Sequence, residues 1–294
     1  MGLIVISEQL APATVGQPCT YAVQTETEIR LPGQVMQQST SALLRYTVTQ
    51  LLPDGHHVAE LLTLELKAQS AAGTLVELLL DIARSNSPLQ LEIDEQGQLV
   101  GVLNKAVLAV QWQVLLPWLQ TKHRATPGAP ALLGQIALQY AAGNDRLEQA
   151  LANKGYCGIV LPGLLGLSPR RGGARTDRKM LHQFFNDGNL PLLVDWQTGV
   201  ADVFDQTAEV TGTGRLDTAR FDQVAFRQQL DAMTGAMPRP PALQVAWAER
   251  YTVSRTGQGI VAGEQTLRVG IRGIYEHNTR HSIQHIAATS SATL

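Results

Sequence analysis

The densest run of chemistry-bearing side chains lies between Arg170 and Lys179, where Arg170, Arg171, Arg175, Arg178 and Lys179 surround Gly172-Gly173. A glycine-rich basic loop that opens a helix can cradle an anion through backbone N–H groups and the helix dipole. Thr176 stands where it can cap such a helix, holding Met180, Leu181, Phe184 and Phe185 and ending at Gly188. The spacing matches neither GxxxxGK[ST] nor GxGxxG. These five cations are therefore the candidate site for an anion or an acidic partner, set against the alternative of a solvated loop.

Three imidazoles, His277, His281 and His285, recur at four-residue intervals. They could gather around a metal only on a helix, and the neighbouring Tyr275, Asn278, Thr279, Ile283 and Ile286 favour turn and strand. Solvent-facing histidines are the expectation, and His56-His57 beside a turn reads the same way. Asp195, Asp202, Asp205 and Glu209 could pair for acid/base work, but outward positions on strands explain them equally well. Cys19 and Cys157 allow at most one bridge and read as separate, partly buried thiols. With no GxSxG elbow and no histidine near either cysteine in sequence, no catalytic residue, cofactor or metal is expected.

The elements that must position these groups begin with period-2 alternation. Tyr21, Val23, Ile29 and Leu31 alternate with Gln24, Glu26, Glu28 and Arg30, and Leu44, Tyr46 and Val48 continue up to the turn Pro53-Asp54-Gly55. Leu62, Leu64 and Leu66 share one face beyond it. Leu75–Ala83 suits a strand or a helix, and the closing Ser85-Asn86-Ser87-Pro88 turn decides for strand. Leu89, Leu91 and Ile93 lead through Asp94–Gly97 into Leu99–Leu103, a hairpin feeding a long helix from Asn104.

That helix carries Val107, Leu108, Val110, Trp112, Val114, Leu115, Trp118 and Leu119, too many apolar residues for a surface helix, so burial on most of its circumference is predicted. Pro117 should kink or end it. Further helices are predicted over Ala131–Tyr140 and Asp145–Asn153, the latter opened by an Asp145/Glu148 capping box. Residues 159–167 read as loop or short edge strand. A second β region starts at Leu192, a helix covers Phe221–Met233, and a hairpin runs from Leu243 through Gly257 and Gly259 to Ile271.

The expected fold is α+β: a long curved antiparallel sheet, half-barrel-like or split into two related sheets, packed against a central helical block. Its regions are 1–103 (antiparallel β), 104–190 (helical) and 191–294 (β-rich with one helix), together forming one domain or two. At 294 residues the chain can bury a sizeable core. A formal net charge of -2 excludes a broad basic face for nucleic acid, and no stretch has the roughly 20 apolar residues of a membrane span. The opening residues lack the pattern of a signal peptide, so a cytoplasmic location is expected.

Charged residues make up only 16% of the chain, leaving hydrogen-bonding rather than ionic polar faces. Together with the missing catalytic motifs, this favours a non-enzymatic structural or adaptor subunit whose partners are other protein subunits or copies of itself. The alternative is a carrier for an apolar small molecule held between the curved sheet and the central helix, with Leu115, Trp196 and Trp247 lining the cavity.

Overall fold

The computed structural model describes residues 10, 12–70, 74–85, 87–141, 143–153, 155–167, 174–185, 188–199, 207–234, 242–254 and 259–287. The alternating stretches become β1 (Pro18–Leu31), β2 (Gln34–Leu51), β3 (His57–Ser70), β4 (Leu89–Ile93) and β5 (Leu99–Val102). After the helices come β6 (Ala174–Phe185), β7 (Gly188–Thr198), β8 (Thr207–Leu216), β9 (Leu243–Ser254), β10 (Ile260–Ile271) and β11 (Tyr275–Ile286). All belong to one antiparallel 11-stranded sheet in the order β5-β4-β3-β2-β1-β11-β10-β9-β8-β7-β6. The two β regions are thus one open sheet, joined where β1 pairs with β11 through Tyr21↔His285 and Val23↔Ile283.

The period of two sends one set of side chains inward along every strand. One row across the sheet is wholly buried: Cys19, Tyr46, Leu61 and Leu89 are cross-strand partners on β1 to β4. A parallel row, Trp196, Gly212, Glu249, Gln265, His281, Thr25 and Thr40, is largely polar. The inner face is strongly concave. Lys179 on β6 reaches Glu249 on β9 at 2.6 Å although two strands lie between them. Phe184 on β6 stacks on His277 of β11 at 5.0 Å across four intervening strands.

Six helices lie among the described residues: α1 (Thr74–Ser85), α2 (Lys105–Lys122), α3 (Ala129–Gln139), α4 (Arg146–Leu151), α5 (Gly155–Val160) and α6 (Gln223–Thr234). α4 touches both edge strands, β5 and β6, so it closes the gap that the open sheet leaves. α5 sits on β1, β10 and β11 at the centre of the concave face.

Several expectations are corrected. Residues 74–85 are helix, not strand, because Glu77, Asp81 and Arg84 form a polar stripe of helical period while Val76, Leu78 and Ile82 are buried. Thr176 caps no helix; it lies in β6, whose inward positions Arg175, Asp177 and Lys179 are charged and so hide the strand from any hydropathy pattern. Asp145 makes no side-chain cap bond, and Glu148 instead bonds Lys105 at 2.8 Å. α2 runs through Pro117 to Lys122.

The predicted burial of α2 is also overturned. Only Leu108, Trp112 and Leu119 are buried, while Val107, Val110, Val114 and Trp118 are exposed, because no other described element covers that side. Asn104 spends its side chain on β4, accepting from the Gln90 N–H and donating to the Pro88 carbonyl, which ties the start of the helix to the sheet.

Candidate functional site: a plugged apolar hollow

The hollow of the sheet is filled by residues 155–167, a short helix followed by a Gly/Pro-interrupted apolar run. Cys157 through Leu164 are all buried. This segment ends α5 at Val160 and then turns through Gly163 (φ 80) and Gly166 (φ 76), left-handed conformations that glycine adopts without a Cβ penalty. Residues 155–160, read from sequence as partly loop or edge strand, therefore form a helix laid on the concave face.

Between this plug and the sheet lies a cavity of about 80 Å³. Tyr21, Tyr46, Ile93, Val253 and Ile260 form the sheet side, and Val160, Leu161 and Leu164 the plug side. Its polar feature is His57, 2% exposed, whose Nε2 lies 3.1 Å from the Tyr46 hydroxyl. The other ring nitrogen, Nδ1, is buried with no hydrogen-bond partner among the described residues. Burial pushes the His57 imidazole pKa down, favouring the neutral ring. The expectation that His56-His57 is exposed holds for neither: His57 faces inward beside Ile93, and His56 binds Glu92 at 2.9 Å.

The plug is latched at its C-terminal half. Arg175 donates from Nη1 to the Leu165 carbonyl at 2.9 Å and from Nη2 to the Gly163 carbonyl, while Asp177 accepts from its Nε at 2.9 Å. Backbone bonds from Leu165 N to Gln96 O, Gly166 N to Leu10 O and Leu10 N to Leu167 O complete the attachment.

Strand alternation separates the cations of the basic run. Arg175 and Lys179 point inward, Arg178 points outward to Asp217 at 3.6 Å, and Arg170 and Arg171 lie outside the described residues. Lys179 and Glu249 form an ion pair with side chains 1% and 0% exposed. The Glu249 carboxylate also accepts from Trp247 Nε1, Tyr251 OH and Gln265 Nε2. The ammonium lies 4.9 Å from the Trp196 ring centroid and 5.4 Å from that of Trp247. Such saturation offsets the cost of holding two charges away from water.

Trp196 and Trp247 accordingly pack on this pair and on bare backbone at Gly212 and Gly214, where an added Cβ would come within 2.7 Å of the Trp196 ring and 2.8 Å of Trp247 Cβ. Neither borders the 80 Å³ cavity, and Leu115 packs against the core from α2.

The three histidines of β11 share the inner face, as a strand requires. His281 is buried, 2.8 Å from Thr25 Oγ1, and burial brings its pKa down to about 4. His277 lies against Phe184 and Tyr275, and His285 meets the Tyr21 ring edge-on at 5.7 Å. They are not solvent-facing, because β11 sits mid-sheet between β1 and β10. No group of three metal-ligating side chains forms among the described residues. Asp195 lies on the outer face with Thr176 at 2.6 Å and Arg215, and those bonds, that of Thr176 foremost, lower its pKa. Asp202 and Asp205 fall outside the described residues. Cys19 and Cys157 are both buried and form no disulfide.

No protein-family description and no curated protein matches this chain. Among solved structures, it is similar to lipovitellin, described for its lipid–protein interactions, at 10% identity and a TM-score of 0.44. The likeness covers 93% of this chain and 25% of lipovitellin, so the chain spans a quarter of that protein's length. It is also similar to an outer membrane channel from Pseudomonas putida F1 (10% identity, TM-score 0.21, 93% and 97% of the two chains). A third likeness is to MucB in complex with MucA(peri) (10% identity, TM-score 0.13, 92% and 90%).

Sequence reasoning missed the plug, the Arg175 latch and His57. Each had a signal. Gly158, Gly163 and Gly166 interrupt an uncharged apolar run, and such a run must be covered by something. Arg175 and Asp177 lie two apart, as same-face neighbours on a strand do.

Proposed function

We propose that the protein is a non-enzymatic carrier of an apolar molecule bearing one hydrogen-bonding group. The observation that carries this reading is the cavity itself: apolar on both walls, with one buried, unpartnered imidazole nitrogen among them. At about 80 Å³ it is far below the roughly 300–1,000 Å³ of ordinary ligand pockets, so cargo enters by displacing Val160, Leu161 and Leu164. The plug suits that exchange. It is apolar, interrupted by glycine, and secured at its far end largely through one guanidinium and a few backbone bonds.

In this reading His57 receives the polar end of the cargo, and the concave sheet takes over the apolar contacts that the plug gives up. Native mass spectrometry of protein purified under mild conditions, paired with uptake of the apolar dye N-phenyl-1-naphthylamine, tests it. The expected result is a lipid-sized mass on the monomer, dye uptake by stripped protein, and weaker retention in His57→Phe. A bare monomer that takes up no dye, even with Arg175→Ala, overturns the proposal.

A further inference from the structure

The outer side of α2 has no described element over it. Leu103, Val107, Val110, Val114 and Trp118 follow one another at intervals of three or four, so they form one stripe along the helix and the turn before it. All are about half exposed or more, and Val114 reaches 77%. The flanking exposed positions, Gln111, Gln113 and Gln120, are neutral.

Charge is distributed one way around this stripe. Between Glu95 and Asp145 the chain contains no carboxylate, and its cations there are Lys105, Lys122 and Arg124, in a protein whose net charge is -2. Lys105 is taken up by Glu148 at 2.8 Å, so the cations available to the stripe stand at the C-terminal end of α2. There, Lys122 lies 4.7 Å from the Trp118 ring centroid and shares one carboxylate, Asp81, with Arg84 and the buried His123, while Arg124, two positions on, is exposed.

We propose that this face seats the protein on a lipid bilayer carrying anionic headgroups. In that pose α2 lies parallel to the surface, its stripe enters the headgroup–acyl boundary, and Trp118 sits at the interface beside the cations. An apolar helical face with cations and tryptophan at its margin is the chemistry of interfacial helices. No helix among the described residues is long and apolar enough to cross a membrane, which fits a helix that lies on it.

A second copy of the chain fits less well. The stripe exposes on the order of 500 Å², within the range of a monomer's largest patch but short of the roughly 800 Å² per partner of a stable complex. Its neutral glutamine borders also lack the charges that fix register between paired helices.

The proposal stands apart from the carrier reading, because binding to vesicles is measured without cargo. Of the four tryptophans, Trp112, Trp196 and Trp247 are buried and Trp118 is half exposed, so intrinsic fluorescence reports this face. The experiment titrates the full chain with phosphatidylcholine vesicles, with and without phosphatidylglycerol, following emission and co-flotation. A blue shift with flotation on the anionic vesicles is expected.

The double variant Val110→Glu/Val114→Glu should bind about 100-fold more weakly or worse. Lys122→Gln/Arg124→Gln should lose about 30-fold on anionic vesicles alone. Because Val110 and Val114 are exposed, circular dichroism should show the first variant folded; should it not be, the second variant still carries the test. Absence of vesicle binding by the unmodified chain overturns the proposal, as does binding indifferent to both variants. So does a dimer, seen by light scattering, that Val114→Glu splits while vesicles are ignored.

Discussion

Removing the Arg175 guanidinium should open the plug without unfolding the protein. In Arg175→Ala the carbonyls of Leu165 and Gly163 lose their charged donor. Hydrogen bonds to a charged group contribute about 1.5–3 kcal/mol each, and Arg175 is partly exposed, so about 2 kcal/mol in total is a reasonable net for the latch. That converts to an open population about 30-fold larger.

Cys157 supplies the readout. It lies in α5, is buried, and its thiol pKa is pushed up to about 12 by desolvation, so it reacts only when the plug lifts. In a Cys19→Ser background, alkylation of Cys157 under conditions where opening equilibrates faster than labelling should therefore accelerate about 30-fold in Arg175→Ala. Because Arg175 also neutralises Asp177 on β6, global stability is compared in Arg175→Ala/Asp177→Asn, whose urea midpoint should move much less than this local change implies, since the strand pairing is untouched. If labelling and global stability change by the same free energy, Cys157 is exposed only by complete unfolding. The latch would then be ordinary tertiary structure, and gated entry would fail with it.

The ion pair in the hollow gives a second test. Lys179→Met strands a buried carboxylate and should cost about 3–5 kcal/mol by urea denaturation, whereas Lys179→Met/Glu249→Leu should recover much of it; a double variant less stable than the single refutes the account. Gly263→Ala places a Cβ 2.3 Å from Tyr251 Cδ1 and should destabilise by about 3 kcal/mol, with no loss meaning that the ring can step aside. Acid should weaken the fold through His281. Its folded pKa of about 4 lies below its ordinary 6.5, so its contribution, about 3 kcal/mol, is complete above pH 6.5 and lost as pH falls towards 4. His57 and His277, also lowered by burial, act in the same sense, and an unaltered pH dependence of the urea midpoint in His281→Gln refutes the assignment.

What could be read from the sequence follows from which residues face the core. β1, β2 and β4 bury apolar side chains at alternate positions over Cys19–Val23, Leu44–Val48 and Leu89–Ile93, so alternation reveals them, whereas β3 buries Ala59 and Leu61 and leaves Leu64 of the predicted face exposed; the curved sheet with its helical block still follows. β6 turns Arg175, Asp177 and Lys179 inward instead. There the strand is invisible, because its inward face is satisfied by partners distant in sequence: the plug carbonyls for Arg175 and Glu249, 70 positions away, for Lys179. The same inversion displaced the site. A run of five cations looked like a surface for anions, whereas the two inward members stabilise the interior, one by neutralising a buried carboxylate and one by holding the plug.

α2 shows the complementary limit. Its helix is legible from Asn104 onward, but a helix apolar on all sides contains no information about which side the protein covers. Trp112 and Trp118 look equivalent in sequence; one is packed against Tyr140 at 5.6 Å and the other is open to solvent beside Lys122. The uncovered side is where hydropathy exceeds what the fold uses. An excess of apolar surface, with Arg84, Lys122 and Arg124 set against the single carboxylate of Asp81 at one end, suits an apolar neighbour with negative charge at its margin, and the proposed lipid surface combines the two.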